Sequence, residues 1–163
     1  MMTKNETEIS ASREVPTITI TREFDAPREL VWRAVTDPEL VVRWMGPRSV
    51  AMTITRWDAR TGGSYAYRAG RAEDGLDTGF YGSFHELREP SRAVQTFTWE
   101  GAPDGVSLET MTLEELPGGR TRLQALSVVE SFEIRDMILS SGMEVGVVEG
   151  YEKLDELLAT LDA

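Results

Sequence analysis

The stretch TITITREFDAPRELVWRAVTDPELVVRWMGP, residues 17–47, decides the fold because it predicts one strand followed by two short helices. Its first part, TITITREF (17–24), alternates Thr with Ile, a pattern typical of a half-buried strand. The next segment, DAPRELVWRAVTD, carries apolar residues at helical spacing, with Asp25 as a candidate N-cap. A second short helix follows, with Asp37 as its N-cap and Pro38 at its first position.

The chain beyond this stretch predicts six further strands and one long helix. From Ser49 to Glu130, segments of strand-like composition alternate with turn signals such as TGG, EDG and PGG. Consecutive strands on short connections favour an antiparallel meander. A last helix is predicted from about Ser131 to Leu161. The predicted fold class is α+β: a curved seven-stranded antiparallel sheet wrapped around a long C-terminal helix, with two short helices between its first two strands.

The length of 163 residues predicts a single domain, which we place at residues 16–163. The polar residues 1–15 are interpreted as a disordered arm. The absence of Cys excludes disulfide frameworks and thiolate chemistry. No apolar run reaches about 18 residues and no secretory signal begins the chain, so we expect a cytoplasmic protein without membrane insertion.

The net charge of −11 is unevenly distributed along the chain. Residues 1–99 hold 14 acidic and 13 basic side chains, whereas residues 100–163 hold 14 acidic and 4 basic ones. Nucleic acids and anionic membrane surfaces both attract basic patches. The sequence therefore predicts that the protein binds neither.

The order of elements and several local strings resemble the START-like helix-grip superfamily, also known as the polyketide cyclase/dehydrase and lipid-transport superfamily. The strings include REFDAPRELVWRAVTDPELVVRWMGP (22–47), WDARTGGSYAY (57–67) and SGMEVGVVEGYEKLDELL (141–158). They are most similar to bacterial homologues of the activator of the heat-shock-protein-90 ATPase. The resemblance implies a mostly apolar pocket between the sheet and the C-terminal helix, used for a small hydrophobic molecule such as a lipid or polyketide, with no cofactor or metal.

The resemblance carries no family-wide catalytic motif. Chaperone-activating members of the group also have a separate N-terminal domain, for which 163 residues leave no room. A chaperone partner is therefore disfavoured.

The candidate pocket residues are aromatic residues and one histidine from the strands, together with four residues of the C-terminal helix. An inner sheet face that one helix cannot fill must line a void or a ligand site with some of its aromatic residues. The set is Trp57, Tyr65, Tyr67, Phe80, Phe84, His85, Phe97, Trp99, Met143, Gly146, Val147 and Gly150.

His85, the only histidine, is the candidate general base of an enzyme. It alternates with Phe84 and Glu86 along its strand, and the pattern leaves open which face points inward. If Glu86 is inward, it needs a cation such as Arg56 or Arg68, and a structural ion pair is favoured over a catalytic acid.

The segment SSGMEVGVVEGYEKLDELL, residues 140–158, places glycines at 142, 146 and 150 of the last helix. Successive helical residues are 100° apart. This spacing gathers one apolar stripe of Leu139, Met143, Val147, Tyr151, Leu154, Leu157, Leu158 and Leu161.

The three glycines occupy different positions relative to this stripe. Gly150 lies near its centre, Gly146 at its edge and Gly142 outside it. Gly146 and Gly150 either allow close packing or leave room for a ligand, and the second interpretation is favoured. Gly142 is interpreted as a kink or break.

Three functional hypotheses follow. The first is binding of a small apolar or aromatic molecule. The second is an enzyme of the cyclase, dehydratase or hydrolase type, with His85 as base and a Tyr or Arg as oxyanion partner. The third is a protein-interaction role, for example as a chaperone co-factor. Val145 and Val148 face outward and either meet the short helices or form a dimer patch; a homodimer is compatible with all three hypotheses.

Overall fold

The computed structural model describes residues 5–161, which form eight strands and four helices. The strands are β1 (Glu8–Ala11), β2 (Thr17–Phe24), β3 (Ala51–Trp57), β4 (Ser64–Arg71), β5 (Leu76–Arg88), β6 (Arg92–Trp99), β7 (Ser107–Leu116) and β8 (Arg120–Val128). The helices are α1 (Arg28–Thr36), α2 (Pro38–Trp44), α3 (Phe132–Ser140) and α4 (Met143–Leu158).

The eight strands form one open antiparallel sheet in the order β1-β2-β8-β7-β6-β5-β4-β3. From β3 to β8, each strand pairs with its neighbour in sequence, and the pairing of β2 with β8 joins the two ends of the chain. The predicted α+β helix-grip fold is confirmed, but the sheet has eight strands rather than seven. Within the described range, no helix is long and apolar enough to cross a membrane.

The additional strand is β1, so the prediction of a disordered arm is wrong for Glu8–Ala11. This segment pairs antiparallel with β2, placing Ile9 opposite Ile20, and Ile9 packs against the core. A short polar segment can order in this way because its backbone groups find hydrogen-bond partners on a strand that is already in place. Residues 1–4 of the predicted arm lie outside the described residues.

The two short helices form as predicted, but only one of their predicted caps does. The Asp37 carboxylate accepts a hydrogen bond from the Glu39 backbone N–H at 3.0 Å, and Pro38 is the first residue of α2. Asp25 does not cap α1, because its carboxylate accepts a hydrogen bond from Arg120 Nε at 2.8 Å. Pro27 occupies the cap position without a side-chain hydrogen bond.

The predicted long C-terminal helix is interrupted and consists of α3 and α4. Gly142 lies between them with φ +88°, a left-handed conformation that glycine adopts without steric cost. Its interpretation as a break is therefore confirmed. The Ser131 hydroxyl caps α3 by accepting a hydrogen bond from the Ile134 N–H at 3.1 Å.

The predicted stripe on α4 packs into the main core, between the helices and the β2–β8 end of the sheet. Tyr151 makes an edge contact with Phe24, at 5.5 Å between ring centroids, and stacks on Trp44 at 6.1 Å. Below them the sheet presents Arg22, whose side chain is only 1% exposed and forms a bidentate ion pair with Asp155. This ion pair holds α4 against β2.

Gly146 and Gly150 make room for the α2–β3 connection, and the interpretation that they roof a cavity is wrong. A Cβ on Gly150 would lie 3.2 Å from the Trp44 carbonyl oxygen, and one on Gly146 would lie 3.4 Å from Pro47 Cδ. Arg48 N–H also donates to Glu149 Oε1 at 3.0 Å. The small residues thus serve close packing, with a connection rather than with a strand.

Candidate functional site

Six of the predicted pocket residues meet on the inner face of β3–β6, the face that points toward the helices. Tyr67 stacks on Phe80 at 5.2 Å, and Phe80 stacks on Phe97 at 5.4 Å between centroids. Tyr65 lies 5.1 Å from Phe84 and 5.7 Å from Trp57. We call this set the aromatic layer: Trp57, Tyr65, Tyr67, Phe80, Phe84 and Phe97.

The Tyr65 phenol is held by hydrogen bonds under this layer. It donates to the Thr96 carbonyl oxygen at 2.6 Å and accepts from Gln95 Nε2 at 3.1 Å. Gly82 leaves the space for it, because a Cβ there would lie 2.7 Å from the phenol oxygen. The prediction that Tyr65 and Tyr67 share a face is confirmed, since they pair with Gly82 and Phe80 on β5.

Packing shows which face of β5 points inward, and a β-bulge shifts the alternation after Phe84. Phe80, Gly82 and Phe84 point inward, and the register then shifts between Phe84 and Glu86, so that Leu87 also packs inward. His85 is exposed and outside the aromatic layer. The geometry therefore does not support His85 as a base within the predicted pocket.

Trp99 and Glu86 lie outside the stacked rings of the aromatic layer. Trp99 pairs with Phe80 and so shares the inner face, but its side chain is 47% exposed at the end of β6, and its indole N–H donates to Thr78 Oγ1 at 2.6 Å. Glu86 is not on the inward face, so the condition for a buried ion pair is not met; its carboxylate pairs with Arg88 at 3.0 Å and Arg92 at 2.9 Å. The predicted partners are engaged elsewhere: Arg56 donates to Ser64 Oγ, and Arg68 pairs with Asp77 and Glu100.

The inner face of β6–β8 is sealed at one end and only partly buried beyond it, as far as the buried Ser107 on β7. Ala93, Leu113 and Leu123, at the sealed end, are between 2% and 6% exposed. The next residues on the same face are only partly buried, although they too point toward the helices. Partly buried Leu139, Met143 and Val147 of α3 and α4 pack at the edge of the same core. We call the space between them the inner-face recess; its sheet side is lined by Phe80, Gln95, Phe97, Glu109, Met111, Ala125 and Ser127.

Glu109 is the titratable group of the recess. The sheet register places it between Gln95 on β6 and Ser127 on β8, and we call these three residues the polar row. Ser127 Oγ donates to Glu109 Oε2 at 3.1 Å. Burial raises the pKa of Glu109 from 4.5 to about 7, and the Ser127 hydrogen bond opposes this only in part. Among residues 5–161, no arginine or lysine forms an ion pair with Glu109.

The charge of Glu109 contributes to the raised pKa values of three tyrosines around the recess. Burial, and then this charge, raise the pKa values of the Tyr65, Tyr67 and Tyr151 phenols above their ordinary value. These phenols stay neutral at physiological pH. Glu109 is therefore the recess group that can exchange a proton near neutrality.

The sequence prediction missed Glu109 and Gln95, although alternation carries a signal for both. In SLETMTLEEL, Glu109 falls on the same face as Met111 and Leu113. In RAVQTFTW, Gln95 falls on the same face as Ala93 and Phe97. A polar residue on an otherwise apolar strand face is the pattern that indicates a lined site.

A second concavity lies outside the recess, between α2 and the edge strand β3. It is an open groove of about 520 Å³ lined by Pro38, Glu39, Val42 and residues 52–57. Trp57 belongs to both this groove and the aromatic layer. Nowhere in residues 5–161 do three or more His, Asp or Glu side chains converge as metal ligands.

Comparison with known proteins identifies similar folds over nearly the whole chain. A family model described as Activator of Hsp90 ATPase homolog 1-like protein matches residues 25–159. A crystal structure from Rhodobacter sphaeroides is 27% identical, with 96% of this chain and 100% of that chain covered and a TM-score of 0.84. A crystal structure from Mycobacterium smegmatis is 26% identical, with 97% and 100% covered and a TM-score of 0.85.

A solution structure from Arthrobacter aurescens is 29% identical, with 94% of this chain and 92% of that chain covered and a TM-score of 0.84. No curated protein matches the chain significantly. The similarity therefore extends to the family and its fold.

Proposed function

Because the chain belongs to the family of Activator of Hsp90 ATPase homolog 1-like proteins, whose fold commonly binds hydrophobic molecules, we propose that it binds a small aromatic or other apolar molecule in the inner-face recess. The observation that carries the proposal is the incomplete burial of inward-facing residues. Phe97, Glu109, Ala125 and Ser127 point toward the helices, yet all remain partly exposed. A protein interior is normally closely packed.

The composition of the recess supports the same function. Ligand sites are mostly apolar concavities that hold a few well-placed polar groups. Here the aromatic layer supplies flat apolar surface, and the polar row supplies a carboxyl, an amide and a hydroxyl at one side of it. A flat ring can stack on Phe80 or Phe97 while its polar edge meets Glu109.

A blocking substitution tests the proposal. Ala125 lies on the inner face of β8, and Leu126, next to it, is 36% exposed on the outer face. Ala125→Phe would fill the recess, whereas Leu126→Phe adds an aromatic ring outside it. The wild type is screened against lipids and aromatic polyketides by thermal shift and native mass spectrometry. We expect a hit that stabilises the wild type and Leu126→Phe alike. Its affinity for Ala125→Phe should be at least about tenfold lower. Equal binding by all three proteins would contradict the proposal.

Acid–base catalysis on the bound molecule is a second candidate function, favoured by the position of Glu109. A carboxyl with a pKa of about 7 beside a hydroxyl and an apolar surface suits proton transfer near neutral pH. In the deprotonated state it would abstract the proton α to a carbonyl group of a β-hydroxyketone. The Cβ–O bond then breaks as the Cα–Cβ double bond forms, and the departing hydroxide takes the proton back from Glu109 and leaves as water. A β-hydroxyketone that the wild type dehydrates, at a rate rising with pH through about 7, should not be turned over by Glu109→Gln. Full turnover by this variant would exclude the role.

The protein-interaction hypothesis, including a homodimer, remains a prediction. Val145 is 57% exposed on α4 and Val148 is half-buried, so at least one of the two outward valines is free to form a contact surface. Sedimentation of the full chain at several concentrations measures whether it associates.

A further inference from the structure

The recess carries its polar groups in one place, and their chemistry narrows the class of ligand. We propose that the polar row selects aromatic ligands that carry a neutral hydroxyl group on the edge facing β7, and that it rejects carboxylates. Glu109 is the specificity-determining residue in this inference, which rests on the proposed function and deepens it.

The Glu109 carboxylate has unused acceptor capacity. A carboxylate offers about four acceptor positions. Only the Ser127 hydroxyl donates to it, at Oε2, among the residues that the structure describes. The Gln95 side-chain amide, the register neighbour on the other side, donates instead to the Tyr65 phenol. A ligand hydroxyl can therefore donate to Glu109 in addition to Ser127.

Among the described residues, the arginines near the recess are already engaged by other groups. The Arg22 guanidinium points to the inner face, and its two terminal nitrogens donate to Asp155 and the Glu23 carbonyl oxygen, which leaves only Nε without a partner. Arg135 of α3 donates to the Ser12 and Thr17 carbonyl oxygens. A ligand carboxylate would thus lie beside the Glu109 carboxylate in a partly buried site without a cation to neutralise either group. This repulsion makes carboxylate binding strongly unfavourable.

An unpaired hydroxyl, that of Ser107, lies at the end of the recess. Ser107 is 7% exposed and precedes Glu109 by two positions on the same strand face, opposite Phe97 on β6. Its Oγ is buried and has no hydrogen-bond partner in the protein. Buried hydroxyls are normally hydrogen-bonded. A ligand hydroxyl placed over Phe97 can accept from Ser107 and donate to Glu109.

The pH response of binding reports which ligand group faces Glu109. The other ionisable side chains on the packed elements are the three tyrosines, which burial keeps neutral, and the charged residues of α3, α4 and β2. These charged residues are Glu133, Arg135 and Asp136 on α3, Glu144, Glu149, Glu152, Lys153, Asp155 and Glu156 on α4, and Arg22 and Glu23 on β2. A neutral ligand without a donor removes water from Glu109 and so favours its protonated form. Its affinity should fall as the pH rises, whereas a donor stabilises the ionised carboxylate and opposes that fall.

The test uses three naphthalene probes with the full-length ¹⁵N-labelled protein: 2-naphthol, 2-methoxynaphthalene and 2-naphthoate. Amide chemical shifts followed by NMR at pH 6 and pH 8 give both the affinity and the location of each probe. At pH 8 we expect 2-naphthol to bind at least about fivefold more tightly than 2-methoxynaphthalene, the equivalent of one net hydrogen bond. We expect 2-naphthoate not to bind. Glu109→Met should remove the preference, and Glu115→Gln, an exposed change on the same strand, should keep it.

The outcomes distinguish a failure of the inference from a failure of the proposed function. Equal affinity of 2-naphthol and 2-methoxynaphthalene, with shifts at Phe97 and Ala125, would overturn the inference and leave the proposed function standing. Shifts confined to Val42 and Thr53 in the α2–β3 groove, or no shifts at all, would overturn both. If Glu109→Met does not fold, Glu109→Gln is used instead. Its affinity for 2-methoxynaphthalene should be the same at pH 6 and pH 8. An affinity that still falls between these pH values would refute the role of Glu109.

Discussion

Replacing Glu109 by Gln should make the protein more stable at pH 8 and leave its stability unchanged at pH 4. Burial raises the pKa of this carboxyl from 4.5 to about 7, so the folded state keeps a proton that the unfolded state releases. The stability contributed by that proton is fully present below pH 4.5, falls as the pH rises, and is lost once the pH passes about 7. Gln resembles the protonated acid in shape and can still accept the Ser127 hydrogen bond.

The magnitude follows from the shift in pKa. Each pKa unit corresponds to about 1.4 kcal/mol, so the stability of the wild type should fall by about 3 kcal/mol relative to the variant between pH 4.5 and pH 8. Because the Glu109 side chain retains partial contact with solvent, this value is an upper limit. Other carboxyl groups titrate alike in both proteins, and their contributions cancel in the difference.

Urea denaturation of both proteins at half-unit steps from pH 4.5 to 8.5 measures this difference. Glu115→Gln removes an exposed carboxylate from the same strand and should show no comparable pH dependence. The reasoning is refuted if Glu109→Gln is no more stable than the wild type at pH 8. It is also refuted if the difference in the free energy of unfolding is the same at pH 5 and pH 8.

The remaining predictions concern the packing of α4. Gly150→Ala should destabilise the protein by about 1–2 kcal/mol, because its Cβ would press on the Trp44 carbonyl oxygen at 3.2 Å and cancel the gain in helix propensity. Gly146→Ala meets a looser neighbour and should be neutral or stabilising by up to about 1 kcal/mol; equal melting temperatures for the two variants would contradict this. Asp155→Ala leaves the Arg22 guanidinium buried without its carboxylate and should cost about 3 kcal/mol in urea denaturation. The double variant Arg22→Met/Asp155→Ala should recover part of that loss, and a double variant as unstable as the single one would argue against a stranded charge.

Local patterns in the sequence predicted the elements whose cause lies in neighbouring residues. The Thr–Ile alternation predicted β2, and Asp37 with Pro38 predicted the start of α2. The apolar stripe predicted the buried face of α4, and Gly142 predicted the end of α3. Each of these follows from backbone conformations or side-chain periods that act within one element.

Predictions that depended on a partner elsewhere in the chain were the ones that failed. Glu8–Ala11 is a strand because β2 offers it a free edge, which its polar composition does not indicate. Gly150 lies on the buried stripe as the angles require, but only the packed structure shows that the α2–β3 connection fills the space beside it.

The candidate site likewise combines features that the sequence predicts with features that only the fold decides. Alternation alone placed Tyr65 with Tyr67 and could have placed Glu109 with Met111. The outward placement of His85 came from the tertiary structure, because alternation left open which face of β5 is covered and the packing of Phe80 and Phe84 decides it. The perturbed pKa of Glu109 also came from the tertiary structure, because desolvation depends on what covers a side chain. The sequence by itself determined most of the helix-grip elements and the alternation along their strands, since these follow from local periodicity. Which face is covered, and how fully, was decided only when β6, β7 and β8 aligned Gln95, Glu109 and Ser127 beneath α3 and α4.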